Sequence, residues 1–428
     1  MSELRPRSTA RSIKSAGIAR HGRLKKSGPW GTVLSFIGAA MVVVLVSGSA
    51  VGAIVFNQLN NQIKTVTLIG ETEGPPPSIG AYPDGFNMLI VGSDMCESKN
   101  CGVRGSANLN DVTMLLHVSA DGTNATAVSF PRDLVVPIPS CPKEDGSGNN
   151  AAMSAMPINN TLFYGGLACT VLTVENLTGL DIQFAGLITF KGVIKMSNAV
   201  GGVEVCVAGD IDDPYVGLHL KKGKHTLKGQ KALAFLRSRH GVGDGSDLSR
   251  ISSQQLYLAS LMRTVRGDGT LTDLPRLYSL ANAAANNIHL STSLAHTDTM
   301  VSMALALADI DLDRLVFVQY PGSTEDPDFP GRVVPIRDLA DTMFAKIAAD
   351  EPCSLSPAPA TGDPLVVGPP VAPAEVPAGG EAGDPETEVP PSPTPPSATP
   401  TPTPAPERLE GLTGRTAADD SCAQVKRG

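Results

Sequence analysis

Five side chains in two short segments could do chemistry together. SFPRD at 129–133 supplies Arg132, and LRSRHGVGDGSDLSRISSQQ at 236–255 supplies Arg237, Arg239, Arg250 and Gln254. Burying like charges without partners costs several kcal/mol each. Arginine, in contrast, matches phosphate oxygens in a bidentate fork. Gathering these groups therefore implies a multiply anionic ligand, and phosphate is the natural one. The chain as a whole is acidic, with net charge −8. The arginines are thus a local concentration and not a basic surface, which excludes nucleic acid as a partner. Their spacing supports convergence. A helix through Ala232–Leu236 should give way to extended chain, where Arg237 and Arg239 at i, i+2 share one face. Arg250 and Gln254 at i, i+4 share a face of the following helix, and the loop His240–Asp247, with three glycines, joins the two.

The elements that must position these groups lie between about residues 84 and 350, a length that suits one large core. Phe86–Gly92, Val112–Val118 and Ala125–Phe130 read as buried strands, the first stopped by glycine and the third by Pro131. Asn159–Leu180 has helical apolar spacing, weakened in its first turn by Gly165 and Gly166. Val203–Val207 is a strand, and Thr226–Leu236 and Leu248–Arg266 are helices, the latter behind the capping candidates Ser246 and Asp247. Residues 272–320 add helices and the strand Arg314–Gln319. Strands alternating with helices predict a layered α/β domain.

The ends of the chain place this domain. Residues 1–28 carry eight Lys/Arg against the single acid Glu3, and no charge then appears between Lys26 and Lys64. The apolar stretch Trp30–Phe56 exceeds the roughly 20 residues a helix needs to cross a bilayer. It also exceeds the about 7–15 residues of a cleaved signal, so an uncleaved single-pass anchor is expected, with a basic cytoplasmic segment 1–29, an anchor 30–56 and a stalk 57–83. The positive flank stays cytoplasmic and the rest is extracytoplasmic. Residues 351–406 form a Pro/Thr-rich linker, and 352–406 hold 18 of the 35 prolines; such a segment buries no core and is expected to be disordered. A tail, 407–428, ends the chain, with Cys422 expected to be tied down. Disulfides suit the oxidising side of a membrane. Cys96 could pair with Cys101, Cys141 with Cys169 and Cys353 with Cys422, leaving Cys206 as a buried thiol; spacing alone does not decide connectivity. A zinc site is not expected, because no Cys-x-x-Cys or histidine ligand spacing is present.

With these blocks in view, the chain resembles the LytR-CpsA-Psr proteins of Gram-positive envelopes. The resemblance covers roughly 84–320 and rests on ordered motifs: NMLIVGSD (87–94), DVTMLLHV (111–118), VSFPRD (128–133), IN and YGG within 158–166, ENLTGLDI (175–182), VGGVEV (200–205), LKGQKALAFLRSR (227–239) and GSDLSRISSQQ (245–255). It implies a three-layer α/β/α domain with a central mixed sheet, whose apolar pocket takes a polyprenyl chain. The implied activity is transfer of a glycopolymer with its linking phosphate from a polyprenyl-pyrophosphate carrier to a peptidoglycan hydroxyl, the muramyl C6 group. Teichoic acid, capsular polysaccharide and arabinogalactan all present the same pyrophosphate end. By motif position Arg132, Arg237, Arg239 and Gln254 would contact the pyrophosphate with Arg250 beside them, and Asp94 and Asp111 would hold Mg²⁺ or Mn²⁺. Arg132, Arg237, Arg239 and Asp111 would carry catalysis. Asp111 or Asp133 would orient or deprotonate the hydroxyl, although Asp133 is better read as a salt bridge ordering Arg132.

Two departures stand out. The family usually has arginine two residues before the aspartate of its Asp-Thr strand; here Leu109 stands there, and Val112 separates Asp111 from Thr113. Arg104 is the candidate replacement, on a loop whose base a Cys96–Cys101 pair would stiffen. The usual Arg-Gln pair of the late helix is Ser253-Gln254. These changes keep two alternatives open: a non-catalytic protein that binds polyprenyl phosphate and senses the wall, and a membrane-anchored pyrophosphatase.

Overall fold

The computed structural model describes residues 29–60, 63–71, 85–94, 108–143, 145–267, 274–355 and 408–426. The chain divides into two compact units, Met1–Gln58 and Leu59–Gly428. What is described of the first is helix α1, Pro29–Asn60. Its window Val33–Ala50 is long and apolar enough to cross a membrane.

The second unit is built on an eight-stranded mixed sheet. Its strands are β1 (Lys64–Val66), β2 (Phe86–Ser93), β3 (Asn110–Val118), β4 (Ala125–Phe130), β5 (Phe184–Thr189), β6 (Ile288–Ser291), β7 (Leu315–Gln319) and β8 (Gly414–Thr416), in the order β1-β6-β5-β2-β3-β4-β7-β8. β2 runs parallel to β5 and β4 parallel to β7, while β3 runs against both β2 and β4. The sheet is buried on both faces, and the two-residue period of a strand sorts its side chains between them. Leu89, Val91, Leu115, Val128 and Val318 point to a core closed by α2 (Thr161–Thr178) and α8 (Arg337–Ala348). Met114, Leu116, Ala127, Phe184 and Phe317 point the other way, to a core closed by α5 (Asp247–Gly267) and α7 (Thr297–Asp309). Three layers result, as the family resemblance implied.

A third core packs α4 (Gln230–Arg237) and the other side of α5 against two short strand pairs, Val203–Val207 with Gly223–Leu227 and Ile211–Asp213 with Leu218–Leu220. α3 (Phe190–Ala199) follows β5 directly, and its first turn is capped by Thr189, whose hydroxyl accepts from Gly192 N. α6 (Leu274–Asn287) lies beside α3.

Several expectations change. The helix expected over Thr226–Leu236 begins only at Gln230, because Gly223–Leu227 pairs antiparallel with Val203–Val207. Gly229 makes the corner at φ 60°, a backbone conformation that glycine adopts freely. The helix of 159–180 contains non-helical backbone at Gly165 and Gly166, which mark a kink where glycine was expected to weaken it. Gly165 also lies so close to the Cys141–Cys169 bridge that a Cβ there would stand 2.9 Å from Cys169 Cβ. Lys64–Val66, within the expected stalk, adds an edge strand, and β5 and β6 lie where no strand was read.

The cysteines resolve differently from their expected pairing. Cys141–Cys169 forms, but Cys422 bonds Cys206, and Cys353 is a buried free thiol. The two ends of the Pro-rich segment meet without it, through parallel pairing of Ser354–Leu355 with Arg408–Leu409. Cys96 and Cys101 lie outside the described residues. The tail then adds β8 to the sheet edge and runs back along the small third core, where Ala423 N donates to Cys206 O at 2.8 Å. The Cys206–Cys422 bridge spans 216 residues against 28 for Cys141–Cys169. Loop-closure entropy therefore gives it about 2 kcal/mol more effect on the unfolded chain. Cys422→Ser should lower stability by about 2–5 kcal/mol, read as a clear drop in calorimetric Tm, with a smaller drop for a Cys141→Ser/Cys169→Ser protein.

Candidate functional site

β2, β4 and β5 all end at the same edge of the sheet, the edge where open α/β sheets bind ligands. Each delivers a residue there: Asp94 just beyond β2, Arg132 two residues beyond β4, and Phe190 directly after β5. β3 begins at that edge with an irregularity. Gly92 pairs with Val112 but Ser93 pairs with Asn110, so Asp111 is the extra residue of a bulge. Bulges re-aim side chains, and this one turns Asp111 and Val112 to line a cavity of about 520 Å³. The displaced threonine of the sequence comparison is this bulge: Val112 takes a lining position and Thr113 falls into the buried side, where its Oγ1 accepts from Asn110 Nδ2 at 2.7 Å.

Arg132, Arg237, Arg239, Arg250, Gln254 and Asp111 all line this one cavity. Much of its remaining wall is apolar, with Ile90, Met114, Ile188, Val193, Leu233 and Leu258 there, beside the polar Asp213 and His240. Charge at one part and hydrocarbon at another make it an amphipathic cavity.

Carboxylates hold the arginines in place. Arg132 Nη1 meets Asp111 Oδ1 at 2.7 Å, and Arg250 Nη2 donates to the Asp111 carbonyl at 2.8 Å. Asp247 is the hub. Its Oδ1 takes Arg239 Nη2 at 2.6 Å and Arg250 Nη2 at 2.8 Å, while Oδ2 accepts from the Arg132 backbone N–H at 3.2 Å. Asp247 was read only as a capping candidate. The cap is Ser246, whose Oγ accepts from Ser249 N, which leaves the Asp247 carboxylate to turn toward the arginines. Arg237 is placed differently. It is the last residue of α4 and lies 4.4 Å above the Phe190 ring, a cation–π contact. Gln254 Nε2 donates to Leu236 O at 3.0 Å and so ties α5 to the end of α4.

The charge states follow from these contacts. Burial works against the Arg250 guanidinium and lowers its pKa to about 10, which still leaves it charged at neutral pH. Burial also opposes the Arg132 charge, but Asp111, Asp133 and Asp247 outweigh it and raise its pKa. The Nε groups of Arg132 and Arg250 are buried without a hydrogen-bond acceptor. Asp94 stands beside the cavity, with Oδ1 accepting from Leu109 N at 3.0 Å. Burial raises its pKa, and the nearby Asp111 charge adds to the rise. Leu109, where an arginine was expected, thus contributes its backbone to Asp94 and no charge to the cavity. Asp133 pairs with Arg132 and Arg332, which matches the structural role preferred for it. Arg104 lies outside the described residues.

A second carboxylate, Asp213, escaped sequence reasoning altogether. It is fully buried and lines the cavity. Its Oδ2 accepts from Ser238 Oγ at 2.7 Å and from the backbone N–H groups of Arg239 and His240 at 3.0 Å each. These bonds outweigh the effect of burial and depress its pKa. Asp213 therefore fixes the turn that carries Arg239 and sets His240 against the Tyr215 ring at 4.2 Å. Its strand also carries Asp212 and pairs with one that carries His219, so nothing in the sequence set Asp213 apart or revealed a partner 26 residues away. Because its folded-state pKa lies below the unfolded value, its contribution is present above about pH 4 and is lost as pH falls through the depressed value. Asp213→Ala should cost about 3 kcal/mol, since buried N–H donors lose their acceptor. Urea titrations from pH 3 to 7 should show wild type losing this advantage over the variant at the acid end.

Comparison with known proteins agrees with this geometry. Residues 54–334 match the LytR_cpsA_psr family. The chain is 28% identical over 350 residues to the "Cell wall biosynthesis protein LcpA" of Corynebacterium glutamicum, covering 74% of this chain and 64% of that relative, so it spans less than two thirds of that protein. It is 25% identical over 311 residues to the "Polyisoprenyl-teichoic acid--peptidoglycan teichoic acid transferase TagT" of Bacillus subtilis, covering 70% of this chain and 90% of that relative. Among solved structures, the LytR-Csp2A-Psr enzyme from Actinomyces oris superposes with a TM-score of 0.51 at 20% identity, over 67% of this chain and 96% of that one, a likeness of fold. The family match covers well over half of the sequence, and this chain belongs to the LytR_cpsA_psr family.

Proposed function

We propose that this protein transfers a glycopolymer with its linking phosphate from a polyprenyl-pyrophosphate carrier to a peptidoglycan hydroxyl, the muramyl C6 group, and releases polyprenyl phosphate. The observation that carries this reading is the amphipathic cavity, with four guanidinium groups at one part and hydrocarbon walls elsewhere. A lipid pyrophosphate has the same division. The names of the relatives agree, since TagT is called a teichoic acid transferase acting on peptidoglycan and LcpA a cell wall biosynthesis protein.

In this mechanism the acceptor oxygen attacks the polymer-side phosphorus. The bond from that phosphorus to the bridging oxygen breaks, and polyprenyl phosphate leaves with the bridging oxygen. Charge grows on the phosphoryl oxygens, where fixed cations are most effective. Arg132, Arg239 and Arg250 are already oriented by Asp111 and Asp247, so little reorganisation accompanies the reaction. Arg237 has no carboxylate pairing of its own among the described residues, and its contact is the Phe190 ring. Asp111 accepts the hydroxyl proton: although it too pairs with Arg132, it lines the cavity, and Asp133 is not among the lining residues.

A hard divalent ion fits the same place. Among the described residues no three His, Cys, Asp or Glu gather to form a metal cage. Magnesium needs only one or two carboxylates beside substrate oxygens, and Asp94 with Asp111 supplies them. Burial raises the Asp94 pKa and the Asp111 charge adds to the rise, against the Leu109 hydrogen bond and the Arg237 charge, and a cation between the two carboxylates would ease that strain. When bound, Mg²⁺ or Mn²⁺ would neutralise pyrophosphate oxygens. Arg104, on the neighbouring segment, would supply the charge that Leu109 does not.

The membrane reading places α1 as an anchor with the basic residues 1–28 inside and the second unit outside. Two disulfides in that unit suit an oxidising exterior.

Full-length protein in detergent, given a polyprenyl-pyrophosphate-linked saccharide and Mg²⁺, tests the proposal. Release of polyprenyl phosphate should require a glycan acceptor; release without one indicates hydrolysis, and bound but unconsumed lipid indicates a carrier. Arg132→Ala and Arg239→Ala should each lower kcat about 10²–10³-fold while keeping the fold by circular dichroism. Chelation with EDTA should abolish turnover and added Mg²⁺ restore it. Arg104→Ala should lower turnover as well, and full activity in that variant would show that nothing replaces the arginine absent at Leu109.

A further inference from the structure

α5 has two working faces. Arg250, Gln254 and Leu258 point into the cationic cavity. Leu248, Ser252 and Gln255 lie on the opposite side of the same helix and line a second cavity of about 240 Å³. Its other walls come from the end of β7 and the residues after it, Gln319 to Gly322, and from the tail, at Gly411, Thr413, Ala423 and Gln424. The tail lies beyond residue 334, where the family match ends, so this cleft is completed by the chain's own C-terminal segment.

The cleft is lined mainly by uncharged polar groups. Hydroxyls of Ser249, Ser252 and Ser253 and amides of Gln255, Gln319 and Gln424 line it, and no lysine or arginine does. Its one acid, Asp244, already accepts from Ser246 N and Ser249 Oγ. The amides are under-used. Gln255 is only 2% exposed, yet among the described residues its side chain makes a single long bond, Nε2 to Ser129 Oγ at 3.4 Å. An amide has capacity for four, and a buried polar group with capacity left over calls for a partner. Half-buried Gln319 and exposed Gln424 make no side-chain hydrogen bond among the described residues and are free to meet a ligand in place of water. Leu248, Pro321 and Ile336 add aliphatic surface. Hydroxyls and amides beside aliphatic faces suit a neutral, N-acetylated sugar ring and not a phosphate. The volume lies below the roughly 300–1,000 Å³ of drug-sized sites, which fits one ring and not a chain.

We infer that this cleft holds one N-acetylated sugar of the acceptor glycan, a reading that rests on the transfer reaction proposed above. A helix with its side chains is about 10–12 Å across. A ring seated on one face of α5 therefore lies close enough for a hydroxyl one or two sugars along the strand to reach the arginines on the other. The tail, clasped by Cys206–Cys422, becomes part of acceptor recognition.

Calorimetric titration of the full-length protein in detergent with a soluble N-acetylglucosamine–N-acetylmuramic acid oligosaccharide tests this. Binding should persist in saturating inorganic pyrophosphate, weaken about tenfold in Gln319→Ala/Gln424→Ala, and vanish in Ser252→Trp, which fills the cleft. Polyprenyl-pyrophosphate affinity should stay at the wild-type value in both. In the transfer assay the double variant should raise acceptor KM about tenfold and keep kcat. Displacement of the oligosaccharide by pyrophosphate, unchanged binding in both variants, or equal binding of a glycan-free stem peptide would each overturn the assignment. Cleft-dependent oligosaccharide binding in a wild-type protein that transfers nothing would leave the cleft assigned and refute the transferase reading.

Discussion

The Asp247 carboxylate is the contact on which the site depends. Four guanidinium groups face one cavity, and without compensation their mutual repulsion in a poorly solvated place would cost several kcal/mol. One carboxylate, itself nearly buried, bonds the Arg239 and Arg250 side chains and the Arg132 backbone. Asp111 completes the arrangement from the sheet side. The sequence position of Asp247 reinforces its role. It occupies the first turn of α5, where the helix dipole favours negative charge. The cationic cluster is thus held in a fixed arrangement by the protein's own anions.

That preparation needs rigid support, which α5 and the tail provide. α5 packs Ala259 into the core under the sheet and Leu256 and Tyr257 into the small third core, so its arginine face has little freedom to rotate. The loop between Arg239 and Asp247 is rich in glycine, with Gly243 at φ 50° and Gly245 at φ 85°, and would be floppy alone. The tail stiffens it. Gly243 N donates to Gln424 O at 3.1 Å, Val242 bridges Val425, and the Cys206–Cys422 bond holds the tail in place. A segment far along the chain therefore governs how precisely the arginines are aimed.

The departures from the family pattern acquire a physical form in this setting. The extra residue before Thr113 is a bulge that turns Asp111 toward Arg132 and gives Val112 a place on the cavity wall. Gly92 opposite permits it, since a Cβ there would stand 3.0 Å from that of Val112. Leu109 places its backbone N–H on Asp94 and brings no charge to the cavity.

Local pattern determined much of this protein. Apolar runs marked β2, β3, β4 and β7, helical spacing marked α2 and α5, and the charge-free stretch marked α1, because short-range sterics and burial dictate such periods. The i, i+4 spacing of Arg250 and Gln254 placed both on one face, and ordered motifs singled out Arg132, Arg237, Arg239 and Gln254, which the fold brings to one cavity. Three things were legible only in the tertiary structure. Asp247 read only as an end cap and Asp213 drew no notice, because their partners come from elements brought together only by the fold. β5 and β6 passed unnoticed, since a strand's identity there depends on the neighbour it pairs with. Cys422 carried no label for Cys206 across 216 residues, because disulfide choice follows distance in the folded chain and not separation along it. The sequence by itself decided that arginines, aspartates and one long apolar helix exist and where along the chain they stand. Only the folded chain decided which carboxylate restrains which arginine, because the energy of an ion pair depends on separation and burial, and neither is written in the order of residues.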